Sequence, residues 1–282
     1  MLLPFTNWKD STMKTLFFLA CLSVFAADET VYIDQARVSK GNVTPGDAPG
    51  FPLTISQPGS YVLTGRLTVP DAVTTAIQIT AGNVTLDLNG FTISGPVVCS
   101  GTPLTCSASG NGVGIHAGGF EVGAITPEHV KVMNGYVRGM GFHGVRLMGN
   151  GTVVERVNSS SNGGPGIVTG GDGIVTDCVV SKNGSSSALI ASIARGNAVT
   201  GNKVNGISLR DGGVATGNVV NFNGNTGITV RYGTVTGNTV NNNGMKGIEA
   251  TCPAVVTGNT MSGNLGGGLS MTGLCTVADN AQ

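Results

Sequence analysis

The chain has 282 residues, of which 46 are glycine, 40% are hydrophobic and only 11% are charged, and its formal net charge is zero. Disordered chains combine low hydrophobicity with high charge, so this composition indicates a folded protein. A nucleic-acid partner is not expected, because a neutral chain offers phosphate groups no net electrostatic attraction.

The N-terminal residues have the pattern of an export signal. A lysine precedes a short apolar run within residues 14–25, and small residues stand where signal peptidase would cut, before Ala27. We predict a signal peptide over residues 1–26, with Met13 as the true start; a lipobox at Cys21 is the alternative. No later stretch is apolar for long enough to span a bilayer. The mature protein is therefore predicted to be secreted or periplasmic, without a transmembrane segment.

Most of the chain consists of a repeat, illustrated by GTVTGNTVNNNGMKGIEA at residues 233–250. Gly-Ile pairs and their variants return about every 21 residues over the second half of the chain, which is typical of a solenoid. Apolar residues alternate with polar ones inside each unit, as in β-strands, so we predict three short strands per coil. The apolar anchors expected to stack in the core are Ile77, Ile115, Val145, Ile167, Leu189, Ile207, Ile228, Ile248 and Leu269.

Thr-Gly-Asn triplets mark a predicted bend, because glycine and asparagine tolerate left-handed backbone angles. We expect their asparagines to form one hydrogen-bonded stack along the solenoid. In two earlier coils we expect Arg156 and Cys178 to take the place of asparagine. The predicted members of the stack are Asn202, Asn218, Asn238 and Asn259.

Five cysteines remain after the predicted signal peptide, in a compartment where disulfides persist. Cys99 and Cys106 are predicted to close a small loop. Cys252 and Cys275 are separated by about one repeat and are predicted to join neighbouring coils. Cys178 is left over, and we expect a buried, inert thiol rather than a reactive one.

The units of the form V-x-G-N-x-V…N-G-x-x-G-I resemble the right-handed parallel β-helix superfamily, the pectate-lyase-like and NosD-like repeat proteins. The resemblance covers residues 59–282 and implies an all-β fold, a single right-handed parallel β-helix of about 21 residues per coil. Residues 27–58, where proline and glycine cluster, are predicted to form an N-terminal cap. The superfamily includes polysaccharide lyases, hydrolases, epimerases and binding proteins, so the resemblance implies a fold rather than one activity.

In the resembling enzymes the active surface lies on the strand that follows the variable turn, which here is the Gly-Ile strand. Arg210 and Arg231 lie one coil apart on this strand and are predicted to point outward together. An anion such as a uronate carboxylate would bridge the two guanidinium groups. The alternative is that both side chains diverge into water. Arg146, Lys246 and Glu249 complete the predicted binding set.

Catalysis on the same face has further requirements. A glycoside hydrolase normally needs two carboxyl groups about 5–9.5 Å apart, whereas the backbones of Glu249 and Asp211 are predicted to lie roughly 14 Å apart. A lyase or epimerase needs a base and a cation that neutralises the uronate carboxylate. The catalytic candidates are Arg210, Arg231, Glu249 and His143, and they favour a lyase or epimerase over a hydrolase.

Glu155 and Asp177 are the acidic residues that best match in register, at the position that Gly237 holds in its own coil. Carboxylate and carbonyl oxygens are the ligands that calcium prefers, so a calcium ion is the one cofactor considered. The alternative is a solvated pair beside Arg156.

The sequence favours a secreted β-helix protein that binds polysaccharide or cell-envelope glycans along its Gly-Ile face. An enzyme that acts on an acidic polysaccharide is the alternative. Self-assembly is left open, because the end coils of a solenoid present unpaired strand edges.

Overall fold

The computed structural model describes residues 30–107, 110–119 and 126–282, and these form a solenoid of parallel strands. The predicted signal peptide and Met13 lie outside the described residues. Within these ranges no helix is long and apolar enough to cross a membrane. One short helix, Gln35–Lys40, is present; it begins at Asp34, whose carboxylate accepts a hydrogen bond from the backbone N–H of Arg37, and ends at Gly41.

Three columns of parallel strands make up the solenoid, each strand pairing with its equivalents in the coils before and after. The first, which we call the Gly-Ile column, contains ten strands within the described residues. They are Leu53–Ile55, Ile77–Ile79, Ile115–Ala117, Val145–Leu147, Ile167–Thr169, the start of Leu189–Arg195, the start of Ile207–Thr216, Ile228–Arg231, Ile248–Thr251 and Leu269–Thr272.

The middle column follows the Gly-Ile column along each coil. Its strands are Val31–Ile33, Gly59–Leu63, Val84–Asp87, the starts of Lys131–Arg138 and Val153–Ser160, Ile174–Thr176, the ends of Leu189–Arg195 and Ile207–Thr216, Thr234–Thr236, Val255–Thr257 and Thr276–Ala278.

The return column completes each coil. Its strands are Leu67–Thr68, Thr92–Ser94, the ends of Lys131–Arg138 and Val153–Ser160, Val179–Ser181, Ala198–Thr200, Val219–Asn221, Thr239–Asn241 and Thr260–Ser262. A separate antiparallel pair, Cys99–Ser100 with Thr105–Cys106, projects from the solenoid as a small hairpin.

The predicted core anchors lie in register from coil to coil. Ile207, Ile228 and Ile248 pair in sequence and are fully buried. The anchor row also extends one coil further toward the N-terminus than the nine predicted positions, because Leu53 pairs with Ile77. Each buried aliphatic side chain stabilises the stack by roughly 1.5–3 kcal/mol. The predicted all-β solenoid is therefore confirmed.

Two strands lie inside the segment that was predicted to be an N-terminal cap. Val31–Ile33 pairs with the strand Gly59–Leu63, and Leu53–Ile55 pairs with Ile77–Ile79. Strand pairing thus begins before residue 59, the predicted start of the β-helix.

The asparagines form two stacks rather than the single predicted one. At the corner between the middle and return columns, each amide oxygen accepts hydrogen bonds from the backbone N–H and side-chain amide of the asparagine one coil earlier. We call this the first-corner ladder, and its members are Asn197, Asn218, Asn238, Asn259 and Asn280. The second-corner ladder follows the return column and has the same pattern in Asn162, Asn183, Asn202, Asn223, Asn243 and Asn264.

The expected placement of Asn202 in the first stack was wrong. Thr-Gly-Asn occurs at both corners, and the triplet that ends at Asn202 follows a return-column strand, so Asn202 stacks on Asn223. Asn197 holds the first-corner position in that coil. Cys178 precedes it in this ladder, as predicted, and its backbone N–H donates to Asn197. Val157, not Arg156, occupies the first-corner position one coil before Cys178. The register pairs Glu155 with Thr176, and counting two residues on from each places Val157 opposite Cys178.

Both predicted disulfides are present, Cys99–Cys106 in the hairpin and Cys252–Cys275 between adjacent coils. Among the described cysteines Cys178 is free, and it is buried. Burial in an apolar environment raises the pKa of its thiol to about 12, which agrees with the expectation of an inert thiol because the thiolate is the reactive form.

Asn238 tests the ladder as a source of stability. Its amide oxygen accepts from the N–H and amide of Asn218, and its own amide donates to the carbonyl of Ala215 and to Asn259. Asn238→Ala should lower the free energy of unfolding by at least about 2 kcal/mol, because several buried polar groups lose their partners. Chemical denaturation measures the loss. The exposed Thr260→Ala serves as control, and a loss below about 0.5 kcal/mol for Asn238→Ala, the range of surface substitutions, would contradict the ladder's role.

Candidate functional site

The outward side chains of the Gly-Ile column form a row that runs along the solenoid. Side chains on a strand alternate between two faces, so the residue after each buried anchor points outward. Register pairs align these outward residues from coil to coil. The members of the row are His116, Arg146, Val168, Ile190, Ser208, Thr229, Glu249 and Ser270.

Arg146 is held by several acceptors at the N-terminal half of this face. Its Nη1 lies 2.7 Å from Nε2 of His116, the residue opposite it in the preceding coil. The same guanidinium group donates to the carbonyl oxygens of Gly118 at 3.3 Å and Gly119 at 3.2 Å. These contacts fix the orientation of the guanidinium plane.

His116 and His143 are both neutral near pH 7 in this environment. Burial and the nearby charge of Arg146 lower the pKa of His116 to about 4 and that of His143 to about 3. His143 lies in the turn before the strand Val145–Leu147 and is only 7% exposed. Its Nδ1 has no hydrogen-bond partner among the described residues.

Arg210 reaches back across two coils toward the same region. Its Nε and Nη2 both donate to the carbonyl oxygen of Thr169. Burial lowers the pKa of Arg210, and the charge of Arg210 in turn helps lower the pKa of Arg146, after the larger effect of burial on Arg146 itself. We call His116, His143, Arg146 and Arg210 the arginine–histidine cluster.

The spacing predicts that Arg210 and Arg231 point outward side by side, and this prediction was wrong. The coil that carries Arg210 has one residue more between its paired positions, Ile207 and Val214, than the next coil has between Ile228 and Thr234. The segment around Arg210 is therefore irregular, and the side chain of Arg210 turns toward Thr169.

Arg231 remains exposed and contacts the carboxylate of Asp211 at 3.4 Å. Glu249, one coil further, receives a hydrogen bond of 2.7 Å from Nζ of Lys246. Asp211, Arg231 and Glu249 line one open groove of about 340 Å³ on the Gly-Ile face. The two carboxylates considered for hydrolysis thus line one groove, and each has a cationic partner.

The proposed calcium ligands are not equivalent in register. Glu155 pairs with Thr176, so the residue equivalent to Asp177 in the preceding coil is Arg156 and not Glu155. The carboxylate of Glu155 contacts Lys131 at 2.7 Å and also Arg156. Within the described ranges no three His, Cys, Asp or Glu residues cluster in a way that would hold a metal ion.

His116 is the site residue that the sequence interpretation did not select. The signal was available, since His116 and Arg146 follow the stacked anchors Ile115 and Val145 and therefore must face each other.

Comparisons with known proteins support the fold. No protein-family profile and no curated protein sequence matches the chain. Among solved structures, the A-module of the Azotobacter vinelandii mannuronan C-5 epimerase is similar with a TM-score of 0.57 at 16% identity, over 89% of this chain and 84% of that one. The Dettilon tailspike protein is similar with a TM-score of 0.61 at 18% identity, over 81% of this chain and 53% of its own.

The enzymatically active domain of tailspike protein 2 from bacteriophage CBA120 has a TM-score of 0.56 at 18% identity, over 79% of this chain and 42% of that one. This chain therefore spans about half or less of the two tailspike chains. At such identities the likeness concerns the fold alone. The shared fold is the right-handed parallel β-helix.

The neutral histidines make stability dependent on pH. An unfolded histidine has a pKa of about 6.5, whereas the folded values are about 4 for His116 and about 3 for His143. Between these limits the unfolded chain binds more protons, so the free energy of unfolding should be highest above pH 6.5. It should fall as the pH is lowered toward 4, by up to about 1.4 kcal/mol per pH unit for each histidine.

Urea denaturation at a series of pH values measures this slope. A His116→Gln/His143→Phe variant should lose most of the histidine contribution, while His129→Asn, which lies outside the cluster, should keep it. Equal slopes for the double variant and the wild type would contradict the neutral, buried state of the two imidazoles.

Proposed function

We propose that the protein binds an acidic polysaccharide along its Gly-Ile face, as a secreted or periplasmic protein. The observation that carries the proposal is that two half-buried guanidinium groups, those of Arg146 and Arg210, lie on the same part of this face. Arg210 donates to the carbonyl oxygen of Thr169, the residue after Val168, and Val168 pairs with Arg146. Burial first, and then the charge of Arg210, lowers the pKa of Arg146, so the two positive charges repel each other. A carboxylate between them would relieve this repulsion, since guanidinium groups bind carboxylates with charge-assisted hydrogen bonds.

The shape of the face suits a linear polymer. The outward rows continue through all the coils of the Gly-Ile column with a spacing of about 4.8 Å, so an extended chain along the solenoid axis meets an equivalent position at every coil. The arginine–histidine cluster lies toward one end of this face. The groove that contains Arg231 and Glu249, the residue bound by Lys246, lies further along the face. Cationic groups thus lie at two points along the face.

The fold neighbours and the disulfides support this proposal. The epimerase in the comparison acts, by its name, on mannuronan, a polymer of uronate units, and it has the same fold over most of its length. Two disulfides agree with an oxidising compartment outside the cytoplasm.

Polyuronate epimerisation or lysis is the second candidate, favoured by one specific feature of the cluster. Both reactions need a base that removes a proton from the carbon next to the uronate carboxylate and a cation that stabilises the resulting charge. A neutral imidazole, His116, lies 2.7 Å from the guanidinium group of Arg146. However, His116 and His143 are 5% and 7% exposed, so a sugar would reach neither ring without a rearrangement. Binding without turnover therefore remains the first proposal.

Titration calorimetry with oligouronates tests the binding proposal. Arg146→Ala/Arg210→Ala should weaken the affinity by at least tenfold, because both contacts to the carboxylate are lost. Arg195→Ala is the matched control, since it removes an exposed arginine from the middle column. Affinity that stays within twofold of the wild type in the double variant would contradict the proposal.

The same oligouronates distinguish binding from catalysis. Lysis produces an unsaturated sugar that absorbs in the ultraviolet, and epimerisation changes the proton spectrum of the sugar. We expect neither signal; turnover that disappears in His116→Gln would instead establish the enzymatic candidate.

A further inference from the structure

A second groove lies on another side of the solenoid, beneath the disulfide hairpin. The hairpin residues Gly101, Pro103 and Leu104 form one wall, and the second corners of successive coils form the other. The groove has a volume of about 550 Å³, compared with about 340 Å³ for the groove on the Gly-Ile face. A volume of this size accommodates a small ligand or a short part of a polymer.

The hairpin packs against the coils of the solenoid. Its Cys99–Cys106 disulfide lies against Gly184, where a Cβ atom would collide with Cys106 Sγ. The chain that enters the hairpin is held by a hydrogen bond of 2.9 Å from the N–H of Val97 to the carbonyl of Gly139. The groove wall is therefore anchored to the solenoid.

Phe222 breaks the pattern of its row in this groove. The residue before each second-corner asparagine has a left-handed backbone in successive coils, with φ between 54° and 65°. The row reads Ser161, Lys182, Gly201, Phe222, Asn242 and Gly263. Left-handed backbone angles are unfavourable for a bulky residue. Phe222 as a residue is nevertheless 62% exposed, so its side chain gains little packing in return.

Two lysines stand in the same groove at positions where other coils have small residues. Lys182 occupies the row of Phe222, and Lys203 follows Asn202 where the adjacent coils have Gly184 and Gly224. Both lysine residues are exposed. No aspartate or glutamate is among the described residues that line the groove. The groove thus combines an exposed aromatic face with two positive charges.

We propose that this groove is a second glycan-binding site, which takes one acidic sugar unit. The C–H face of the sugar ring stacks on Phe222, because the face of an aromatic ring carries negative partial charge and attracts polarised C–H groups. The ammonium groups of Lys182 and Lys203 bind the sugar carboxylate. The choice of an acidic sugar rests on the proposed function, whereas the groove itself does not overlap the Gly-Ile face.

The repeat supplies the substitutions that test the proposal with the least structural change. Phe222→Asn introduces the residue of the next coil, Asn242, and Lys203→Gly introduces the residue found at Gly184 and Gly224. Cys99→Ser/Cys106→Ser removes the link that closes the hairpin wall. Thermal unfolding shows whether each variant is folded. The control is Tyr32→Thr/Lys40→Ser, which removes an exposed aromatic residue and a lysine near the N-terminal end of the described chain.

Binding of an oligouronate is measured by calorimetry in the Arg146→Ala/Arg210→Ala protein, so that the second groove is the site under observation. Phe222→Asn with Lys203→Gly should weaken the remaining affinity at least tenfold, the hairpin variant should weaken it at least threefold, and the control should change it less than twofold. A neutral oligosaccharide of equal length should bind more weakly than the oligouronate.

The outcomes separate the two proposals. Loss of binding in the groove variants together with no effect of the arginine substitutions would support the groove and reject the Gly-Ile face as the site. Loss of all binding through the arginine substitutions alone would reject the groove. Unchanged affinity in folded groove variants would also reject it, as would a wild-type protein that binds no oligouronate.

Discussion

The structure depends on satisfying the buried polar groups at the corners of every coil. A parallel β-helix pairs its strands along the axis, but at each bend backbone N–H and carbonyl groups turn away from the strand pairing, and unpaired buried groups are costly. The two asparagine ladders solve this problem. Each amide oxygen accepts from the coil before, and in every ladder member but Asn162 the amide nitrogen donates to a backbone carbonyl of that coil, as Asn238 does to Ala215. The ladders thereby also fix the register of the coils.

This arrangement divides the residues of each coil into two classes. Anchors such as Ile228 and corner residues such as Asn238 are specified by their neighbours in the adjacent coils and vary little along the chain. Outward residues have no such requirement, so His116, Arg146 and Phe222 can stand in rows where other coils have unrelated residues. Departures from the repeat on the outside are therefore the positions at which to look for function.

The sequence was sufficient to predict the class of fold, the core anchors and the Cys252–Cys275 disulfide, because each follows from a spacing of about one coil. The Cys99–Cys106 disulfide was predicted from the short loop between its two cysteines, which are seven residues apart. The sequence-based prediction placed Asn202 in the wrong ladder because Thr-Gly-Asn occurs at both corners. Only strand pairing distinguishes the two corners. The prediction also did not foresee the direction of Arg210, since one additional residue in that coil lets the side chain reach Thr169. The direction of a long side chain on an irregular segment cannot be predicted from the spacing of residues along the chain.

The positions of the charges explain how a chain without net charge can be expected to bind an anionic polymer. Formal neutrality averages over the surface, whereas attraction is governed by local charge within about 8–10 Å, the screening distance in physiological salt. The carboxylates of Asp211, Glu155 and Glu249 are each next to a lysine or arginine. In contrast, Arg210 donates to the neutral carbonyl oxygen of Thr169, and its positive charge lies near enough to Arg146 to help lower the pKa of Arg146, after the larger effect of burial. The proposed binding of a carboxylate therefore depends on local charge of this kind and not on the net charge of the protein.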